Sequence, residues 1–112
     1  MQLNKRKKII INYFEYFNNQ DLLNLSKIFS NKIRLKDWEI DVVGKKNVIK
    51  ANKNIFNKFP RINVKIIQIH FSIDDIFVII KVKLDKQKTI EVIDKFKINK
   101  RNQIKEIRAY LG

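Results

Sequence analysis

Apolar residues in the first half of the chain recur with a helical period. Ile10, Tyr13, Phe14 and Phe17 fall on one side of a helix over about 5–19. Asn18-Asn19-Gln20 breaks that pattern, and Asp21 is placed to cap a second, shorter helix carrying Leu22, Leu25, Ile28 and Phe29. Ser30-Asn31 closes it. Ile33, Leu35 and Asp37 then alternate with Arg34, Lys36 and Trp38, the pattern of a short strand with two unlike faces. Gly44 opens a third helix whose apolar positions, Val48, Ala51, Ile55 and Phe59, again follow a helical period, and Pro60 stops it.

After Pro60 the residues are β-branched and aromatic with a period of two. Four strands are expected, over 62–72, 76–84, 88–98 and 103–111, joined by turns at Asp74-Asp75, Asp85-Lys86-Gln87 and Asn99-Lys100-Arg101-Asn102. Such short connections make hairpins, so the sheet is expected to be antiparallel. Its apolar face needs a cover, and the three helices are the available one. The predicted architecture is α+β, in the order α-α-β-α-β-β-β-β, as a single domain over 1–112. Val78, Ile80 and Val82, with Ile107, Ala109 and Leu111, are expected on the inner face. Ile67, Ile69, Phe71, Phe77, Ile79 and Ile93 are expected to form an apolar patch on the outer one.

Composition narrows the chemistry. The 112 residues contain no cysteine and one histidine, so a disulfide framework, a thiolate metal site and a multi-histidine cluster are excluded within one chain. The single histidine, His70, also argues against a conventional serine triad. It shares a strand face with Gln68 and reads as a surface or interface residue, with a catalytic base as the alternative. The net charge of +14 raises a nucleic-acid hypothesis. Against it, Ile, Lys and Asn together make up 21, 20 and 13 of the residues. All three have A/T-rich codons, the lysines are scattered, and arginine, the better phosphate reader, occurs five times. No stretch reaches the ~20 apolar residues of a membrane span. The basic start followed by Ile9, Ile10 and Ile11 is too short for a signal-peptide core and reads as a solvated helical turn. The expectation is a soluble, cytoplasmic protein.

Two carboxylates stand on faces that should be apolar. Asp94 interrupts Ile90, Val92, Phe96 and Ile98, and Asp37 follows Ile33 and Leu35. A carboxylate in apolar surroundings shifts its pKa or finds a partner, and two of them in one concavity make a candidate acid–base site. A structural role stands beside that reading: Asp37 solvated or capping the next loop, and Asp94 accepting a hydrogen bond from a helix or a backbone amide.

The chain resembles the nuclear transport factor two-like superfamily, in particular its SnoaL-like and ketosteroid-isomerase branch. The residues that carry the resemblance are Tyr13-Phe14-Glu15-Tyr16-Phe17-Asn18 with Asp21-Leu22, then Leu25 and Ile28-Phe29, then Gly44-Lys45. Val92-Ile93-Asp94-Lys95-Phe96 and the closing Ile104-Lys105-Glu106-Ile107-Arg108-Ala109-Tyr110-Leu111-Gly112 complete it. It implies a curved sheet wrapped into a cone around a cavity. It also implies catalytic roles for three residues: Asp37 as general base, with Tyr13 and a protonated Asp94 holding the oxygen of an enolate. Trp38, Val78, Val82, Phe96, Ala109 and Leu111 are the expected ligand-pocket residues. The chain departs from the isomerase pattern at Trp38, where proline commonly follows the base, and at Ala51-Asn52, where aromatic pocket residues are usual. Trp38 either narrows the cavity or packs at a subunit interface.

The expected function is binding of a small apolar ligand, with isomerase chemistry on a carbonyl compound as its sharper form and no cofactor. A non-enzymatic ligand- or protein-binding module of the same fold is the alternative, and a basic nucleic-acid binder a second. A homodimer through the outer sheet face is the expected assembly, with no membrane partner.

Overall fold

A computed structural model describes residues 2–112. The described elements run α1 (Gln2–Asn18), α2 (Leu22–Ile28), β1 (Phe29–Lys36), β2 (Asp41–Val43), α3 (Lys45–Lys58), β3 (Asn63–Phe71), β4 (Ile76–Lys83), β5 (Thr89–Ile98) and β6 (Ile104–Leu111). The strands form one six-stranded sheet in the order β2-β1-β6-β5-β4-β3. Three helices on a curved sheet give the expected α+β cone.

Each helix begins or ends where its local chemistry dictates. The Asp21 side chain accepts the Asn24 amide at 3.1 Å and so caps α2. Gly44 precedes α3 with a φ of 98°, a left-handed conformation that favours glycine. The buried side of α1 presents Ile10, Tyr13, Phe14 and Phe17 to the sheet. Asn18, at its end, donates from Nδ2 to the Val64 carbonyl (2.9 Å) and accepts the Val64 amide (2.7 Å). That paired contact ties the helix to the first residues of β3.

The sheet differs from the expected one in three ways, each with a local cause. First, Phe29 leaves α2 and starts β1 in an extended conformation, fully buried against Tyr13. Second, the segment after Asp37 turns back and adds the short strand β2, paired antiparallel to β1. Third, β1 pairs parallel to β6, whereas the other neighbours are antiparallel, so the sheet is mixed. The hairpin turns set only the neighbours they join. The partner of β1 is distant in sequence.

Bulges interrupt the ladders at Ile67 on β3 and at Lys105 on β6, opposite Lys97 and Ile98 of β5. An extra residue bends a strand and tightens its twist, which curves the sheet around the helices. The β3 bulge also reverses the facing of the strand beyond Ile67. Gln68 and His70 now share the outer face with Ile79 and Phe77, while Ile69 and Phe71 turn inward and pack against the core. The expected outer patch therefore loses Ile69 and Phe71. It keeps Ile67, Phe77, Ile79 and Ile93, and gains Tyr110, which stands in register with Ile93 and, through it, with Ile79. His70 is exposed on this outer face, its Nε2 3.1 Å from Gln68 Oε1.

Candidate functional site

The concave face of the sheet, the inner sides of α1 and α3 and the β1–β2 turn enclose a cavity of about 710 Å³. Its walls are mostly apolar; Tyr13, Asn52 and Asp94 are the buried polar residues that line it, and exposed polar side chains such as Glu39, Lys50, Asn54 and Lys58 line it too.

Asp94 comes from the centre of β5. It lies between Val92 and Phe96 on the inner face and is 7% exposed. Across the ladders its neighbours are Val78 on β4 and Ala109 on β6. Ala109 is small, and the space above it belongs to the cavity. Burial, and after it the charge of Asp37, push the Asp94 carboxyl up to about 7. At neutral pH this group is protonated about half the time and can donate a hydrogen bond.

Tyr13 reaches the cavity from α1. Its ring meets Phe14 and Phe96 edge-on, with centroids 4.9 and 5.2 Å away. Burial, and then the charge of Asp94, drive its phenol far above the ordinary range, so it stays a donor.

Asp37 is positioned by the turn that follows β1. Its Oδ1 accepts the amides of Glu39 and Ile40, each at 2.7 Å, and its own amide donates to the Ile40 carbonyl at 2.8 Å. These bonds lock the side chain of a half-buried residue at the cavity wall. The structural role of Asp37 and its place at the cavity thus coexist in one residue. Its charge acts on Asp94, so the two carboxyls share one electrostatic environment.

Of the other expected pocket residues, Trp38, Val82, Ala109 and Leu111 line the cavity. Trp38 and Leu111 are 45% and 51% exposed and stand where it opens to solvent. Val78 and Phe96 are corrections. Both are fully buried and neither lines the cavity. The ring of Phe14 lies 5.8 Å from that of Phe96, and α1 fills this end of the cone.

Asn52 was not among the expected site residues. It lies on α3 between the buried Val48 and Phe56, one turn away on either side, is 2% exposed and lines the cavity. Its amide nitrogen has no hydrogen-bond partner. The signal was available in sequence: a polar residue interrupts the apolar stripe of α3, as Asp94 interrupts that of β5. Among the described residues no group of three His, Cys, Asp or Glu side chains is placed to hold a metal ion. The cavity is thus lined by the carboxyls of Asp37 and Asp94 and the hydroxyl of Tyr13, groups of the kind suited to moving a proton beside a polarised oxygen.

No family model matches the chain, and no curated protein matches its sequence. Solved structures do match its shape. A SnoaL-like protein of unknown function from Burkholderia thailandensis E264 superposes with a TM-score of 0.86 at 11% identity, over 97% of this chain and 95% of that one. A protein provisionally assigned as a ketosteroid isomerase, from Kribbella flavida DSM 17836, gives 0.84 at 8% identity, over 97% and 78%. The epoxide hydrolase/cyclase-like enzyme SalBIII, which has a role in pyran ring formation in the polyether salinomycin, gives 0.79 at 19%, over 100% and 95%. Likeness at these identities speaks to architecture: the chain has the cone fold of SnoaL-like, nuclear transport factor two-like proteins.

Proposed function

We propose that this protein binds a small apolar carbonyl compound inside the cone and moves a proton on a carbon next to the carbonyl group. The carboxylate of Asp37 takes the proton as the C–H bond breaks. The electron pair shifts to the carbonyl oxygen, and the hydroxyls of Tyr13 and protonated Asp94 hold the enolate that forms. Return of the proton to the same or another carbon regenerates Asp37. The observation that carries this reading is the unequal treatment of two carboxyls at one cavity, one locked by backbone amides and one buried and held partly protonated at neutral pH.

The test uses 2-tetralone in deuterium oxide, with proton exchange beside the carbonyl followed by NMR, and 4-phenylphenol as an enolate mimic followed by calorimetry. The expected result is accelerated exchange, inhibited by the phenol. Absence of both exchange and phenol binding would refute the reading. Exposed lysines are spread over α1, α3, β4 and the β5–β6 turn, for example Lys7, Lys53, Lys81 and Lys100, and this favours the ligand-binding reading over a nucleic-acid one.

We also propose that two copies pair through the outer sheet face. Ile79, Ile93 and Tyr110 form an apolar row across three strands, extended by Phe77 and Ile67. Sedimentation of the wild type and of Ile93→Asp checks this: a dimer and a monomer are expected, and a monomeric wild type overturns it.

A further inference from the structure

We infer that Asn52 reads a second polar group on the ligand, so that the molecule taken up is apolar with two separated oxygen functions. The inference rests on the cavity reading above, in which the first oxygen lies at Tyr13 and Asp94. Its own basis is different.

An amide nitrogen buried without a partner is a net cost to folding. Asn52 incurs that cost in the middle of α3, where its neighbours one turn away, Val48 and Phe56, are apolar and a leucine would satisfy the helix better. The residue is 2% exposed, so bulk water does not serve the nitrogen. Packing does not require an amide there, and no protein group accepts its hydrogen. The remaining neighbour is the cavity, which Asn52 lines. A half-turn of the amide about its last torsion exchanges donor and acceptor ends, so a ligand hydroxyl can pair with either.

Tyr13 and Asp94 approach the cavity from α1 and β5, and Asn52 approaches it from α3. A ligand satisfying both is held at two points, which fixes its orientation as well as its depth. Asn52 is in this sense a specificity-determining residue. It discriminates between molecules of the same apolar shape by the presence of a second oxygen. The penalty for the wrong molecule is an amide left unpaired under a dry surface.

The experiment compares 4-phenylphenol with 2,4'-, 3,4'- and 4,4'-biphenyldiol as probes, by calorimetry on the full chain, wild type and Asn52→Leu. At least one diol is expected to bind wild type about tenfold tighter than 4-phenylphenol, as one satisfied buried amide implies. In Asn52→Leu the advantage of that diol over 4-phenylphenol should vanish. Should the variant not fold, the Asn52 side-chain amide resonances of the wild type decide the matter. They should move on adding the favoured diol and stay in place with 4-phenylphenol. Equal affinity of all four probes, or a diol advantage that survives in Asn52→Leu, overturns the role of Asn52 and leaves the cavity reading standing. Failure of 4-phenylphenol itself to bind overturns both.

Discussion

Replacing Asp94 by asparagine keeps the shape of the side chain and removes its charge, and the consequence is worked out from the carboxyl's burial. The folded chain raises this carboxyl from an ordinary 3.8 to about 7, with desolvation as the main cause and the charge of Asp37 as the second. Between those two values the folded state holds a proton that the unfolded state has released, so stability falls as pH rises. Below 3.8 the group has no effect, and above 7 its full effect is reached. The gap, at about 1.4 kcal/mol per pH unit, amounts to about 4 kcal/mol, of which about 2–3 kcal/mol develops between pH 5 and pH 8. That is a large share of the roughly 5–15 kcal/mol that holds a domain together. Urea denaturation of wild type and Asp94→Asn at pH 5, 6, 7 and 8 measures it. All other ionisable groups are common to both proteins, so the difference between them isolates Asp94. The wild type should lose ground steadily against the variant as pH rises. A difference that stays flat from pH 5 to pH 8 would refute the reasoning, because it would mean the carboxyl is solvated or paired in the folded chain.

Asp37→Asn should cut 2-tetralone exchange by about 10²–10⁴-fold while 4-phenylphenol still binds. Because it removes the second cause of the Asp94 shift, NMR should also show Asp94 titrating below about 7. Tyr13→Phe should weaken 4-phenylphenol about tenfold, read by calorimetry, and leave the fold intact, since the ring contacts with Phe14 and Phe96 remain. Asn18→Ala strips partners from both the amide and the carbonyl of Val64 and should cost about 1–3 kcal/mol in urea denaturation, with no change in ligand affinity.

How far the sequence spoke depended on how local each feature is. The stripes of α1 and α3, the Asp21 cap and the stop at Pro60 are written within a few residues and were legible. So was Asp94, because a charge on the inner face of a strand breaks a period of two. The β3 bulge was not, since Ile66, Ile67 and Ile69 fit either face and only the ladder with β4 shows where the count slips. The parallel partner of β1 was hidden for the same reason. Val78 and Phe96 share the inner face with true wall residues, and only the seat of α1 decides that they are floor. Asn52 was harder to see, since Val48, Ala51, Ile55 and Phe59 complete a helical stripe without it and the break shows only when the stripe is widened to Phe56.

The parallel seam between β1 and β6 has a consequence for biosynthesis. The candidate base follows β1, the candidate acid sits on β5, and β6 lies between those strands. Their proximity therefore waits on a segment synthesised after both of them. A nascent chain lacking Ile104–Leu111 has both acids but nothing to bring them side by side.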